Sequence, residues 1–248
     1  MNILNIFIKK QEQPSCSAVI LAAGSSHRMG DDKLMMNLGA MPVLAHSIAA
    51  FQDSPMVNDI VVVTRMEKVE EIAELCMRYG MDKVVKVIGG GSTRMESALA
   101  GVSAVSPSAE LIAIHDGARP LVSQDVILRT VTAAKEHLSA VPVITSTDTL
   151  KLVDGNNMII GTVDRSNTVR VQTPQVFKSV LIKGALTKAV KDGRTYTDDC
   201  AAIECMGVKT YTVMGDENNI KITTPRDIVL ASAILIDRGD YLEDRSRI

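Results

Sequence analysis

The sequence predicts an α/β fold: a mainly parallel, doubly wound sheet with helices on both faces and a protruding β-hairpin arm. Runs such as SAVILAA (17–23) and DIVVVT (59–64) are apolar at consecutive positions, which is typical of strands buried on both faces of a parallel sheet. Helical patterns separate these runs, as the doubly wound fold requires. Segment 145–173 instead alternates polar and apolar residues around Asp154 and Gly155, as in a hairpin. Ligands of such a fold bind at the carboxyl ends of the strands.

The elements before the arm follow from periodicity and from the residues that end them. The first strand ends at Gly24, and the third ends at three consecutive glycines. The third helix is rich in Ala and Ser, a composition that permits close packing on a sheet. The predicted strands are 17–23, 59–64, 84–88, 111–115 and 140–144, and the predicted helices between them are 42–52, 68–79, 94–105 and 125–137.

Helices and one strand are also predicted beyond the arm. Helical patterns cover 179–192 and 198–206, and a strand is expected at 209–214. The last helix begins with Thr224 as its N-cap, followed by Pro at the first position and Asp at the third. The predicted organisation is an N-terminal extension at 1–16, one domain at 17–238 that carries the arm, and a C-terminal tail at 239–248.

The composition favours small-molecule chemistry. Lys and Arg number 27 against 29 Asp and Glu, and the chain of 248 residues has only 3% aromatic residues and no Trp. A nucleic-acid binder is therefore not expected. The four cysteines have no metal-ligand spacing. No signal peptide or membrane-length apolar run is recognised, so we expect a cytoplasmic protein.

The loop AAGSSHRMGDDK (22–33) is the first candidate for binding a ligand. Small residues let the backbone approach a phosphate closely, and Arg28 and Lys33 add two cations to the same loop. Cations so placed suit a triphosphate that gains charge in a transition state. An ordinary strand-to-helix loop with surface cations is the alternative.

Other motifs are weaker when taken singly. The triplet Gly89–Gly91 admits a base or ribose, or is a tight turn, and it does not complete a dinucleotide fingerprint. HDGARP (115–120) places Asp116 and Arg119 at a strand end, where they suit Mg²⁺ and a phosphate or form a salt-bridged turn. We interpret His115 as structural. Lys221 lies between apolar neighbours and is expected to have an anionic partner.

Seven ordered blocks together resemble the sugar-alcohol-phosphate cytidylyltransferases over about 17–235. They are AAGSSHRMGDDK, GGGSTRMES, HDGARP, DTLK, TVDRSNTVRVQTPQVF, YTDDCAAIE and NIKITTP. The resemblance implies a Rossmann-like nucleotidyltransferase fold, CTP and a sugar-alcohol phosphate as substrates, Mg²⁺ as cofactor, and a homodimer formed through the arm. HDGARP and TVDR favour 2-C-methyl-D-erythritol 4-phosphate as acceptor. Ribitol 5-phosphate is the alternative acceptor, and a non-catalytic nucleotide-binding regulator is the alternative of another class.

The resemblance also implies the roles of individual residues. The catalytic residues would be Arg28, Lys33, Arg165 and Lys221. The nucleotide would be bound by Ala22, Ala23, Gly24, Gly91, Ser92, Ser97 and Gly117. The sugar phosphate would be bound by Asp116, Arg119, Thr149, Thr173 and Thr197, some of them from the partner's arm. No residue is assigned firmly to the metal, which CTP phosphates would hold with Asp116 as a further ligand. The chain departs from the family pattern at Ser26, at Asp32-Lys33-Leu34 and at Ser92.

Overall fold

A mainly parallel sheet forms the centre of the structure, a computed structural model that describes residues 15–24 and 32–240. The strands are β1 (Cys16–Leu21), β2 (Asn37–Leu38), β3 (Met41–Pro42), β4 (Asp59–Thr64), β5 (Val84–Gly89), β6 (Leu111–Asp116), β7 (Ser139–Thr145), β8 (Lys151–Val153), β9 (Ile159–Thr162), β10 (Val169–Val171), β11 (Gln175–Lys178) and β12 (Tyr211–Met214). The helices are α1 (Val43–Gln52), α2 (Val69–Arg78), α3 (Arg94–Ala104), α4 (Gln124–His137), α5 (Ser179–Lys191), α6 (Asp199–Glu204) and α7 (Pro225–Asp237).

The order of strands brings distant segments to one edge of the sheet. It runs β10-β7-β11-β6-β1-β4-β5, and β12 pairs with β7. Strands β5, β4, β1 and β6 are parallel, so their carboxyl ends meet. Strand β11 runs antiparallel between β6 and β7, so the segment that enters β11 lies at this same edge. The predicted doubly wound fold is confirmed, with β11 as an antiparallel insertion that the sequence did not predict.

Two apolar cores, one on each face, explain why the strands are apolar at consecutive positions. In β1, Ala18 and Ile20 face one core, whereas Val19 faces the other. Helix α3 packs closely on the second face because Gly101 has no side chain there: a Cβ at this position would overlap Val19. The expected close packing of this Ala- and Ser-rich helix is thus observed.

The arm differs in extent from the prediction. Strands β8 and β9 form a separate antiparallel pair, as expected of a hairpin. Strand β10, although it lies within the predicted arm at 145–173, pairs with β7 in the central sheet. The hairpin that leaves the sheet is therefore shorter than predicted, because the returning chain adds a strand to the sheet before it enters β11.

Helix α7 begins as the sequence predicts. The Asp227 carboxylate accepts a hydrogen bond of 2.7 Å from the backbone N–H of Thr224, which caps the helix, and Pro225 is the first helical residue. Among the described helices, none combines the length and apolar character needed to cross a membrane.

Candidate active site

A cavity of about 390 Å³ opens at the carboxyl ends of the parallel strands. Five residues expected at the nucleotide line it: Ala23, Gly24, Gly91, Ser92 and Ser97. Lys33, Asp116 and Lys221 line it as well. The topology thus brings four of the seven sequence blocks into one site. The last of them contributes Lys221, which lies 105 residues beyond Asp116 in the chain.

Glycine at position 90 lets two backbone segments approach each other beside the cavity. The Gly90 N–H donates to the Thr64 carbonyl at 2.7 Å, which extends the sheet past the end of β5. A Cβ on Gly90 would lie 2.6 Å from Ser97 Oγ and 2.9 Å from Ala23 Cβ. Any side chain there would push the glycine triplet away from the loop after β1, so both segments can face the same ligand only with glycine between them.

Helix α3 begins at this cavity with a complete capping box. Thr93 accepts from the Glu96 N–H at 3.1 Å, and the Glu96 carboxylate accepts from the Thr93 N–H at 3.0 Å. Such a box fixes the first turn of the helix. The first turn also carries Ser97, whose hydroxyl donates to the Thr93 carbonyl at 2.9 Å. The direction of the Ser97 side chain is therefore set before any ligand binds.

Asp116 is surrounded by cations at the end of β6. Lys221 Nζ donates to Oδ2 at 2.6 Å, Arg94 lies 3.7 Å from Oδ1, and Arg119 lies 4.0 Å from Oδ2. Burial acts to raise the pKa of this carboxyl, but Lys221, Arg94 and Arg119 outweigh burial and lower the pKa to about 2. Asp116 is thus ionised, and it is the anionic partner that Lys221 was predicted to have.

His115 supports this strand end as a neutral ring. Nε2 lies 3.1 Å from the Arg119 carbonyl, which can only accept, so Nε2 carries the hydrogen. Nδ1 then accepts from the Thr173 hydroxyl at 2.9 Å, and that hydroxyl accepts from the Asp116 N–H. Burial lowers the pKa of His115 to about 4. This geometry agrees with the structural role predicted for His115, and it uses Thr173 as a connection between β6 and the segment that enters β11.

The segment before Lys221 is anchored by amide side chains. Arg119 donates to the Asn219 carbonyl at 2.7 Å, and Asn219 Nδ2 donates to the Thr173 carbonyl at 3.0 Å. Gln172 Nε2 donates to the Asp216 carbonyl at 2.8 Å. These contacts hold Lys221 at the cavity although it lies outside regular secondary structure.

Two functional candidates, Arg94 and Asp199, were missed by the motif analysis. The Arg94 guanidinium donates to both oxygens of Asp199, at 2.8 and 2.7 Å, and lines the cavity. Burial disfavours charge on Arg94, but Asp199 outweighs this and raises the pKa of Arg94 further. The available signals were the Arg that ends the incomplete dinucleotide fingerprint and the second Asp of the block YTDDCAAIE.

None of the remaining expected residues that the structure describes lines the cavity. Thr149 and Arg165 lie exposed in the arm, and Thr197 is exposed just before α6. Ala22 is buried, with its N–H bound to the Val63 carbonyl at 2.7 Å. Gly117 is packed behind the cavity, where its N–H donates to the Leu21 carbonyl at 2.9 Å. Arg28 lies outside the described residues.

Comparisons with known proteins point in one direction. The family model for 2-C-methyl-D-erythritol 4-phosphate cytidylyltransferase (IspD) matches residues 16–237. The chain is 41% identical to the protein of that name from Caldanaerobacter subterraneus over 88% of this chain and 98% of the relative. It is 40% identical to that from Halalkalibacterium halodurans, over 90% and 97%.

Solved structures agree with the sequence comparisons. The crystal structure of 4-diphosphocytidyl-2C-methyl-D-erythritol synthase from Anaerococcus prevotii superposes with a TM-score of 0.81 at 30% identity, covering 91% of this chain and all of the other. The 2-C-methyl-D-erythritol 4-phosphate cytidylyltransferase from Thermus thermophilus superposes with a TM-score of 0.71 at 30% identity, covering 89% of this chain and 98% of the other. The similarity therefore extends over the whole length of these relatives.

Proposed function

The chain belongs to the 2-C-methyl-D-erythritol 4-phosphate cytidylyltransferase family, and from this we infer that it transfers CMP from CTP to 2-C-methyl-D-erythritol 4-phosphate. The products are 4-diphosphocytidyl-2-C-methyl-D-erythritol and pyrophosphate, and the reaction belongs to non-mevalonate isoprenoid biosynthesis. The single observation that carries the proposal is the cavity in which two glycine-containing loops face Lys33 and a lysine paired with Asp116. That combination suits a nucleoside triphosphate on one side and a phosphate nucleophile on the other.

The reaction needs positioning and charge neutralisation. A phosphate oxygen of the acceptor attacks the α-phosphorus in line, the bond from the α-phosphorus to the bridging oxygen breaks, and pyrophosphate leaves with that oxygen. Lys33, at the cavity, stabilises the negative charge on the triphosphate, as preorganised cations do in phosphoryl transfer. The resemblance implies the same role for Arg28. No covalent intermediate with the enzyme is required.

In this proposal, Lys221 receives the acceptor phosphate. Asp116 holds its ammonium group at 2.6 Å, and the side chain remains 42% exposed, so the charge can reach an incoming anion. A lysine held in this way loses less conformational freedom when substrate binds. Asp116 therefore acts through Lys221, while the backbone at Gly24 and Gly91 is left to bind cytidine.

We propose Mg²⁺ as the cofactor, bound mainly by CTP. Across residues 15–24 and 32–240, no group of three or more His, Cys, Asp or Glu is arranged to hold a metal. We propose that the phosphate oxygens of CTP carry the ion and that Asp116, an ionised carboxylate that lines the cavity, is its protein ligand. When bound, the ion supplies neutralisation of the triphosphate charge.

A homodimer formed through the arm is also part of the proposal. The hairpin of β8 and β9 exposes large apolar side chains, including Leu152 at 54%, Ile159 at 64% and Ile160 at 65%. An isolated two-stranded hairpin is marginally stable in water, and exposed apolar patches mark interaction sites. As the resemblance implies, we propose that Arg165 and Thr149 of one chain act at the cavity of the other. The cytoplasmic location expected from the sequence stays a prediction.

An assay of pyrophosphate release tests the activity. CTP is supplied with 2-C-methyl-D-erythritol 4-phosphate in one reaction and with ribitol 5-phosphate in another, each with Mg²⁺. We expect release with the first acceptor at least about 100-fold faster than with the second, because buried polar contacts discriminate between acceptors by this much or more. Faster release with ribitol 5-phosphate would reassign the acceptor. CTP binding without release with either acceptor would instead support a nucleotide-binding regulator.

A further inference from the structure

The ion pair between Arg94 and Asp199 is unlike the other ion pairs of the described chain. Asp199 is fully buried, and both of its oxygens accept from the Arg94 fork. Replacing a buried ion pair with packed apolar residues is often neutral or stabilising. Stability alone is therefore a weak reason for placing these charges here, beside a cavity that Arg94 also lines.

Arg94 contacts the central carboxylate of the site from the side opposite Lys221. Its guanidinium is 3.7 Å from Asp116 Oδ1, whereas Lys221 binds Oδ2. The fork to Asp199 fixes the plane of the guanidinium, because a bidentate pair defines both distance and orientation. Three cations therefore surround Asp116: Arg94, which Asp199 fixes, lies at Oδ1, and Lys221 and Arg119 lie at Oδ2.

The pair also connects the two halves of the site along the chain. Arg94 is the first residue of α3, directly after the segment 91–93 that lines the nucleotide side. Asp199 is the first residue of α6, two positions after Thr197. Gln175 strengthens this end, since its Oε1 accepts from the N–H groups of Asp199 and Cys200 at 3.1 Å each.

We propose that Arg94 is a positioning residue for the acceptor phosphate. Asp199 orients Arg94, and Arg94 acts through Asp116 on Lys221. The proposal rests on the proposed cytidylyl transfer. Without the fixed guanidinium, the Asp116 carboxylate can rotate so that its Oδ2 no longer contacts Lys221. The Lys221 ammonium group then samples positions in which it does not meet the acceptor phosphate. The nucleotide half depends on the capping box of α3 and on glycine backbone, so CTP binding should not need the charge on Arg94.

The test is the double variant Arg94→Gln with Asp199→Asn. The two amides can hydrogen-bond each other, so no charge is left buried without a partner, yet the cation beside Asp116 is gone. We expect thermal unfolding close to that of the wild type and CTP affinity by calorimetry within about twofold. At saturating CTP, kcat/KM for 2-C-methyl-D-erythritol 4-phosphate should fall about 10- to 100-fold, the loss that small misplacements of reacting groups cause.

Lys178→Gln is the matched control. Lys178 pairs with Glu110 at 3.7 Å at the opposite edge of the sheet, and the loss of that pair should leave all kinetic constants unchanged. Wild-type turnover in the same assay tests the proposed activity separately: if the wild type releases no pyrophosphate, the proposed function fails and the variants are not interpreted.

Two results would overturn the positioning role. Wild-type acceptor kinetics in a stably folded double variant would show that the pair is only structural. A loss of CTP affinity as large as the loss in kcat/KM would show that Arg94 acts on the nucleotide. If the double variant does not fold, Arg94→Lys replaces it: a lysine keeps the charge but not the fork, and we expect acceptor kcat/KM at least about fivefold lower with unchanged CTP affinity. Wild-type kinetics in Arg94→Lys would equally overturn the proposal.

Discussion

His115 should make the stability of the protein depend on pH between 7 and 5. Its imidazole is fully buried, and burial lowers its pKa from 6.5 to about 4. Among its charged neighbours, Asp116 opposes this lowering, whereas Arg119 and Lys221 add to it. At pH 5 the folded protein therefore keeps the ring neutral, whereas the unfolded chain binds a proton there.

The sign and size of the effect follow from this difference. The group has a lower pKa in the folded state, so the stability it contributes is fully present above 6.5 and is lost as the pH falls toward 4. Each pH unit between the two values corresponds to about 1.4 kcal/mol, and the loss between pH 7 and pH 5 is about 2 kcal/mol. Asp116, with a pKa of about 2, loses its contribution only below about 3.9 and so does not act in this window.

Urea unfolding at pH 7 and pH 5 measures this loss, with His115→Asn as the comparison. Asn keeps an acceptor for the Thr173 hydroxyl but does not titrate. The variant is less stable at pH 7, because a smaller side chain leaves space beside Phe51, whose ring lies 4.8 Å from the imidazole. Between pH 7 and pH 5, the free energy of unfolding of the variant should fall by about 2 kcal/mol less than that of the wild type. An equal pH dependence in the two proteins would refute the assignment of a buried neutral imidazole.

Three further predictions concern the site and the assembly. Lys33→Ala should lower kcat about 10²- to 10³-fold at unchanged thermal stability, because one preorganised cation is lost; near-normal turnover would show that Lys33 does not face the triphosphate. Arg165→Lys should raise KM for the sugar phosphate about tenfold, since a lysine lacks the guanidinium fork, while the CTP affinity measured by calorimetry stays the same. A loss of CTP affinity with an unchanged KM for the sugar phosphate would exchange the two halves of the site. Ile160→Asp should convert a dimer to a chain of 26.7 kDa in light scattering, and a fully active wild-type monomer would exclude assembly through the arm.

The alternation of strands and helices could be predicted from the sequence, because the spacing of the apolar residues that each element buries differs between strands and helices. The consecutive apolar residues of β4, from Ile60 to Val63, are all buried, so the pattern and the packing agree. Strand β11 could not be predicted in the same way. It has four residues, Gln175 to Lys178, and its place between β6 and β7 is set by pairing with strands distant in sequence rather than by any local periodicity.

The residues of the candidate site also divide into those that local sequence features predict and those that only distant contacts bring together. Asp116 and Lys221 were found because each has a local peculiarity, a carboxylate at a strand end and a cation among apolar residues. The fork between Arg94 and Asp199 joins residues 105 positions apart, and neither residue is unusual where it stands. The cavity at which Arg165 acts could not be predicted from the sequence either. In a single chain, the arm that carries Arg165 is exposed.

His115 and Asp116 show how one environment gives neighbouring groups different charge states. At the end of β6, His115 is fully buried and Asp116 is mostly buried, and burial disfavours the charged form of each. Asp116 is nevertheless ionised, since three cations surround it. Two of these cations, Arg119 and Lys221, oppose a positive charge on His115. The neutral ring can therefore pack against Phe51 and hold the backbone through Thr173 while the adjacent carboxylate holds Lys221. His115 is connected to Asp116 through the Thr173 hydroxyl, and Arg94 pairs with the same carboxylate. Because the two residues share this partner, the substitutions proposed at His115 and Arg94 should not be additive when combined in one chain.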